Sequence, residues 1–141
     1  MPSQFPLELV SNFLSVILLL GLFYKYLQYK KKLDVIKGLD KLKDEKKVTR
    51  EDYEFIRNNE REYKDKLAKT EANIKIAQPV FIIIAGILIL SFEFQEAMIH
   101  LNVVVVAFIF MQVDKIHKRN MYSFLNELRK GTKDQIEPQE D

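Results

Sequence analysis

Three stretches without a single Asp, Glu, Lys or Arg constrain this chain more than any other feature: residues 9–24, 76–92 and 97–113. Each holds 16 or 17 residues, close to the roughly 20 that span a bilayer as a helix. At a rise of ~1.5 Å per residue such a run covers about 25 Å, so flanking residues must complete the crossing. Tyr24, Lys25, Tyr26, Lys75, Phe92 and Phe94 suit that task, with aromatic rings and snorkelling amines at headgroup level. None of the runs has a polar face wide enough for a surface helix of a soluble protein, and too little other apolar sequence exists to bury them. The pairing of 48% hydrophobic with 30% charged residues therefore reflects segregation along the chain. The expected fold class is all-α: a polytopic membrane protein with three transmembrane helices.

Charge placement predicts the topology. All 22 Lys and Arg residues fall at Lys25, between Lys30 and Lys75, or between Lys115 and Lys133. The segment before the first run and the link at 93–96 carry none. By the positive-inside rule, residues 28–75 and 114–141 are expected to be cytoplasmic and the N-terminus to face outward. The opening "MPSQFPLE" lacks the basic residues of a signal peptide and carries Glu8, so the first run is expected to stay as a span. The resulting organisation is an N-out segment and first span (1–27), a cytoplasmic helical hairpin (28–75), a hairpin of two spans (76–113) and a cytoplasmic amphipathic helix with an acidic tail (114–141). A bias toward Lys, Ile, Phe and Asn over Ala and Arg suggests an AT-rich bacterial genome, and the expected location is the bacterial inner membrane.

Between the first two spans, Leu33, Ile36, Leu39 and Leu42 recur at helical spacing, and the pattern stops at "KDEKK". It restarts at "VTREDY". Thr49 is the expected N-cap, with Asp52 at N3 reaching back to complete a capping box, and Val48 and Tyr53 as a hydrophobic staple. From there Tyr53, Ile56, Glu60, Tyr63, Leu67, Thr70 and Ile74 alternate spacings of three and four, a heptad seam broken by polar residues at Glu60 and Thr70. With so few heptads, the seam is expected to pack on the first hairpin helix. The same helix could continue into the second span, where Pro79 removes the bond to the Lys75 carbonyl and is expected to kink it.

The stretch "IKGLDKLKDEKKVTREDYEFIRNNEREY" resembles the SHOCT family of short helical hairpins through Leu39, Leu42, Val48, Thr49, Glu51, Asp52 and Tyr53. The likeness covers about a fifth of the chain. It departs from the family pattern in lacking the usual turn glycine and in lying between spans instead of at the C-terminus. The resemblance implies a contact module for oligomerisation or assembly, without catalytic residues.

Fifteen basic residues in the 28–75 segment face eleven acidic ones, interspersed, which is not the single-sign patch that nucleic acid needs. Lys30, Lys31 and Lys32 are instead expected to meet anionic lipid headgroups. In the tail, Ile116, Met121, Phe124, Leu125 and Leu128 mark an amphipathic helix that Gly131 is expected to stop. Packing on the hairpin is its default fate, with membrane or partner binding as alternatives. Residues 132–141 are expected to be disordered.

A search for chemistry is short. The chain has no cysteine and two histidines, and no phosphate loop, HExxH pattern or nucleophile elbow. No enzyme, cofactor or metal is expected. The sharpest polar set is Glu93, Glu96 and His100, which would share one face if the third helix began early enough; with Glu8 they could hold a proton or an ion. Glu8, Ser11 or Asn12, and Ser15 form a polar stripe in the first span that suits helix packing, and Gln78 and Asn102 are similar. The expected function is that of a non-enzymatic accessory, assembly or stabilising protein of a larger membrane complex. Its contacts are expected at Asn12, Ser15, Leu42, Val48, Thr49, Tyr53, Ile56, Tyr63, Leu67, Phe124 and Leu128. The alternative is a homo-oligomeric ion or proton channel or carrier using Glu8, Glu96 and His100.

Overall fold

A computed structural model describes residues 7–136. Those residues form three long helices, α1 (Leu7–Asp44), α2 (Arg50–Ser91) and α3 (Phe94–Ile136), and no strand. Each helix is long and apolar enough to cross a membrane, so the chain is a multi-pass membrane protein. The expected boundaries near residues 28, 75 and 114 do not interrupt the backbone: each apolar run and the charged segment beside it belong to one helix. α2 also continues through Pro79. The chain divides into two compact units: an apolar unit (α1 up to Lys25, with Glu71–Asp114) and a charged unit (Tyr26–Thr70, with α3 from Lys115 onward).

The turn between α1 and α2 follows from hydrogen-bond accounting. At the end of α1, Lys47 N donates to Leu42 O at 2.9 Å and Lys46 N to Lys43 O at 3.0 Å, the paired bonds of a Schellman cap. That cap requires a left-handed residue, and Lys46 takes the position with φ 59°. Glycine adopts this conformation most readily, and lysine holds it here. α2 then opens on the expected capping box: Asp52 N donates to Thr49 Oγ1, and Thr49 N donates to Asp52 Oδ2, each at 3.1 Å.

In the charged unit the core joins all three helices. Ile36 of α1, Ile56 and Tyr63 of α2, and Met121, Leu125 and Leu128 of α3 form one buried cluster. Tyr29, Leu33, Leu39, Tyr122 and Phe124 pack against it. The tail helix thus packs on the hairpin, the first of its three expected fates. Three expectations fail here. Gly131 does not stop α3, which runs on to Ile136. A Cβ at Gly131 would lie 2.9 Å from Lys43 Cδ, in the outer part of a flexible side chain that can move aside. Two residues of the added turn hold the helix in place: Thr132 is fully buried and donates to Leu128 O, and Gln135 Nε2 donates to Lys43 O at 2.8 Å. Residues 132–136 are therefore helical, and the rest of the expected disordered tail lies outside the described residues. Ile116, expected on the apolar stripe, is exposed.

In the apolar unit the pattern inverts. Ser11, Ser15, Ala97 and His100 are buried, while large side chains such as Phe13, Leu20, Ile82 and Leu90 are exposed. Small and polar residues face inward and let helices approach, as in membrane bundles where lipid covers the apolar exterior.

Candidate functional site

In each of the two units, polar side chains bond one helix to another. Both breaks in the α2 seam have cationic partners on α3. Glu60 Oε2 accepts from Arg129 Nε at 2.6 Å, and Lys118 Nζ donates to Thr70 Oγ1 at 2.7 Å. The Glu60 hydrogen bond raises the Arg129 guanidinium above its ordinary value; partial burial opposes this, and the Glu60 charge and the Tyr53 hydroxyl reinforce it. Elsewhere in the charged unit, His117 stacks on Tyr29 with ring centres 4.1 Å apart and planes within 3°.

The apolar unit has its own polar core. His100 Nδ1 lies 2.6 Å from Ser11 Oγ, Phe92 packs against the imidazole at 4.8 Å, and Nε2 is buried without a partner. Asn102 Nδ2 approaches Ser15 Oγ at 3.5 Å, the outer limit of a hydrogen bond. At the basic end of the first run, Lys25 pairs with Asp114 at 3.0 Å and lies 5.0 Å from the centre of the Phe110 ring. Phe81 and Phe108 meet edge to face at 6.1 Å.

These positions sort the expected interface residues. Ile56, Tyr63 and Leu128 are buried in the core of the charged unit. Ser15 is buried as well. Leu42, Val48, Tyr53, Leu67 and Phe124 are half-buried, and Thr49 is spent on the cap. Asn12 alone of the expected span residues is exposed. The polar stripe of the first span therefore resolves into two faces: Ser11 and Ser15 point inward, and Glu8 and Asn12 outward.

The expected ion site does not assemble as a ligand set. Glu93 is exposed and precedes α3, its carbonyl accepting from Ala97 N at 2.8 Å, while Glu96 is half-buried, Glu8 exposed and His100 buried. Among the described residues no group of three or more His, Asp or Glu side chains is placed to hold a metal ion. The early helix start that would align Glu93 with His100 does not occur, because the chain turns at Phe92 and Glu93.

Sequence reasoning missed the partners of Glu60 and Thr70, although a signal existed. The two polar breaks are ten residues apart on α2, and Arg129 and Lys118 are eleven apart in reverse order on α3. At ~1.5 Å per residue these spacings match within about 2 Å, which suits an antiparallel pair. Lys25 and Asp114, both at the charged edges of apolar runs, carried the same kind of signal.

No protein-family model, curated protein or solved structure matches the chain.

Proposed function

We propose that this protein is a non-enzymatic accessory or assembly subunit that binds a larger membrane complex through its spans and its helical hairpin. The observation that carries this reading is the exposure of Asn12 and Gln78, and of Asn102 beyond its 3.5 Å contact with Ser15, within runs that carry no Asp, Glu, Lys or Arg. An amide facing lipid lacks hydrogen-bond partners, whereas a neighbouring helix supplies them. Outside the runs, Val35 and Phe55 are exposed beside the buried core, and they line a shallow groove with Lys32, Asn59 and Lys66. The SHOCT-like turn agrees with a contact role. Charge placement supports a bacterial inner membrane with the N-terminus out and the C-terminus in, and Lys30, Lys31 and Lys32 suit anionic headgroups. The chain contains no cysteine, so single introduced cysteines at positions 46 and 95 would map that orientation directly.

Purification of the tagged protein from its native membrane in mild detergent, with identification of what stays bound, tests the reading. A stoichiometric larger membrane protein, weakened in its association by Asn12→Leu, is the expected result. A lone species at native expression would contradict it.

A second reading draws on the buried, unpartnered Nε2 of His100: a homo-oligomeric proton or ion path past Glu8, Glu96 and His100. Flux in liposomes that disappears on His100→Ala and Glu96→Gln would establish it over the accessory role.

A further inference from the structure

Between α2 and α3 the charged unit opens into a cleft of about 410 Å3. Five cations line it: Arg57, Arg61 and Lys64 from α2, and Arg129 and Lys133 from α3. Glu60 and Tyr53 complete the wall. The segment 28–75 mixes both signs almost evenly, so this gathering of one sign is a product of the fold. Arg57, Arg61 and Lys64 stand at i, i+4 and i+7 and share one face of α2. Arg129 and Lys133 stand at i and i+4 on α3. Of the neighbouring acids on α2, Glu54, Glu62 and Asp65 do not line the cleft; Glu62 lines a different groove and pairs with Lys66 at 2.8 Å.

Among the described lining residues five cations stand with one carboxylate, and that carboxylate is already held by Arg129. Arg57, Arg61 and Lys64 are exposed and have no carboxylate partner among the described residues. Like charges at these spacings repel one another along a helix, and a bound anion removes that repulsion. The cleft is within the ordinary range of small-ligand sites, about 300–1,000 Å3. Its walls offer almost only charged and hydrogen-bonding groups, which suits a compact polyanion better than an apolar ligand. Guanidinium forks match phosphate oxygens bidentately. Glu60 holds one of these forks, Arg129, in advance through its Nε.

We propose that this cleft binds a soluble phosphate-bearing anion of the oligophosphate class. The ligand site is separate from the partner-binding reading and stands without it. A phosphate could also be carried on a lipid headgroup. The cleft residues on α2 precede the apolar run at Ile76 by twelve residues or more, whereas Lys30–Lys32 follow the first run closely and are better placed for headgroups.

The test is calorimetric titration of the full-length protein, in phosphatidylcholine nanodiscs at physiological salt, with inorganic triphosphate. Saturable binding near one ligand per chain is expected, with a loss of roughly tenfold or more in affinity for Arg57→Gln combined with Arg61→Gln. Both side chains are exposed, so the fold should survive, which circular dichroism checks. Arg129→Lys keeps the charge but removes the fork, and should also weaken binding. No saturable binding, or equal affinity in the double variant, would overturn the proposal. A second arm adds phosphatidylglycerol to the nanodiscs. Unchanged triphosphate affinity supports a soluble ligand; displacement of triphosphate by the lipid would assign the cleft to headgroups and overturn the soluble assignment.

Discussion

The Glu60 carboxylate and the Arg129 guanidinium meet at 2.6 Å, bridging α2 and α3 at a point where the heptad seam should have been apolar. Their side chains retain 14% and 24% of their exposure, so the pair is shielded from solvent without being fully buried. Such pairs contribute little net stability against an apolar substitute but penalise any shift of register that separates them. Arg129→Ala should lower the stability of the charged unit by about 1.5–3 kcal/mol, the range for hydrogen bonds to charged groups. Glu60→Ala added to it should cost little more. Chemical denaturation of the two single variants and the double variant in detergent measures the coupling; additive losses would show that the contact does not matter.

Lys46 should be replaceable with profit. Its left-handed backbone costs an L-residue roughly 1–2 kcal/mol that glycine avoids, so Lys46→Gly should raise the unfolding temperature. Lys46→Val, β-branched in the same conformation, should lower it. The pair of melting curves separates backbone strain from any role of the lysine charge.

Core truncation should divide the apolar residues by burial. Ile56 has no exposed surface and sits in the cluster joining all three helices. Ile56→Ala should cost about 2–5 kcal/mol. Ile116 is 48% exposed, and Ile116→Ala should change stability by less than about 0.5 kcal/mol. Equal losses at the two positions would contradict the core assignment.

A pH dependence follows from Glu62. The hydrogen bond from Lys66, followed by the charge of that amine, holds the Glu62 carboxyl below its ordinary value. A depressed carboxyl contributes stability above its unfolded pKa and loses it as pH falls through the lower folded value. Both side chains are more than a third exposed, so solvent screening limits the contribution to a few tenths of a kcal/mol at most. Titration of Glu62 by NMR should show its pKa rising on Lys66→Ala, with little change in stability at neutral pH.

The contrast between Thr49 and Gly131 shows where the sequence was sufficient. The capping box depends on residues three apart in one turn, so its bonds could be written down from "VTREDY" alone. Gly131 reads locally as a helix stop, but the contacts that carry α3 past it come from Lys43 of α1, 88 positions earlier. The seam of α2 was legible for the same reason as the cap: periodicity is local. Its partners were not, because nothing near Glu60 or Thr70 names Arg129 or Lys118. In the spans the ambiguity was rotational. Ser11 and Asn12 are neighbours about 100° apart on a helix, and only the packing against His100 decides which of them turns inward.

The claim that another membrane protein covers the exposed amides is tested most directly by crosslinking from the spans themselves. A photo-reactive residue placed at position 12 or 102, and at Leu20 as an exposed apolar control, would be activated in native membranes. We predict strong crosslinks from positions 12 and 102 to a single larger polypeptide, and weak ones from position 20. Crosslinks confined to lipid at all three positions would contradict the account.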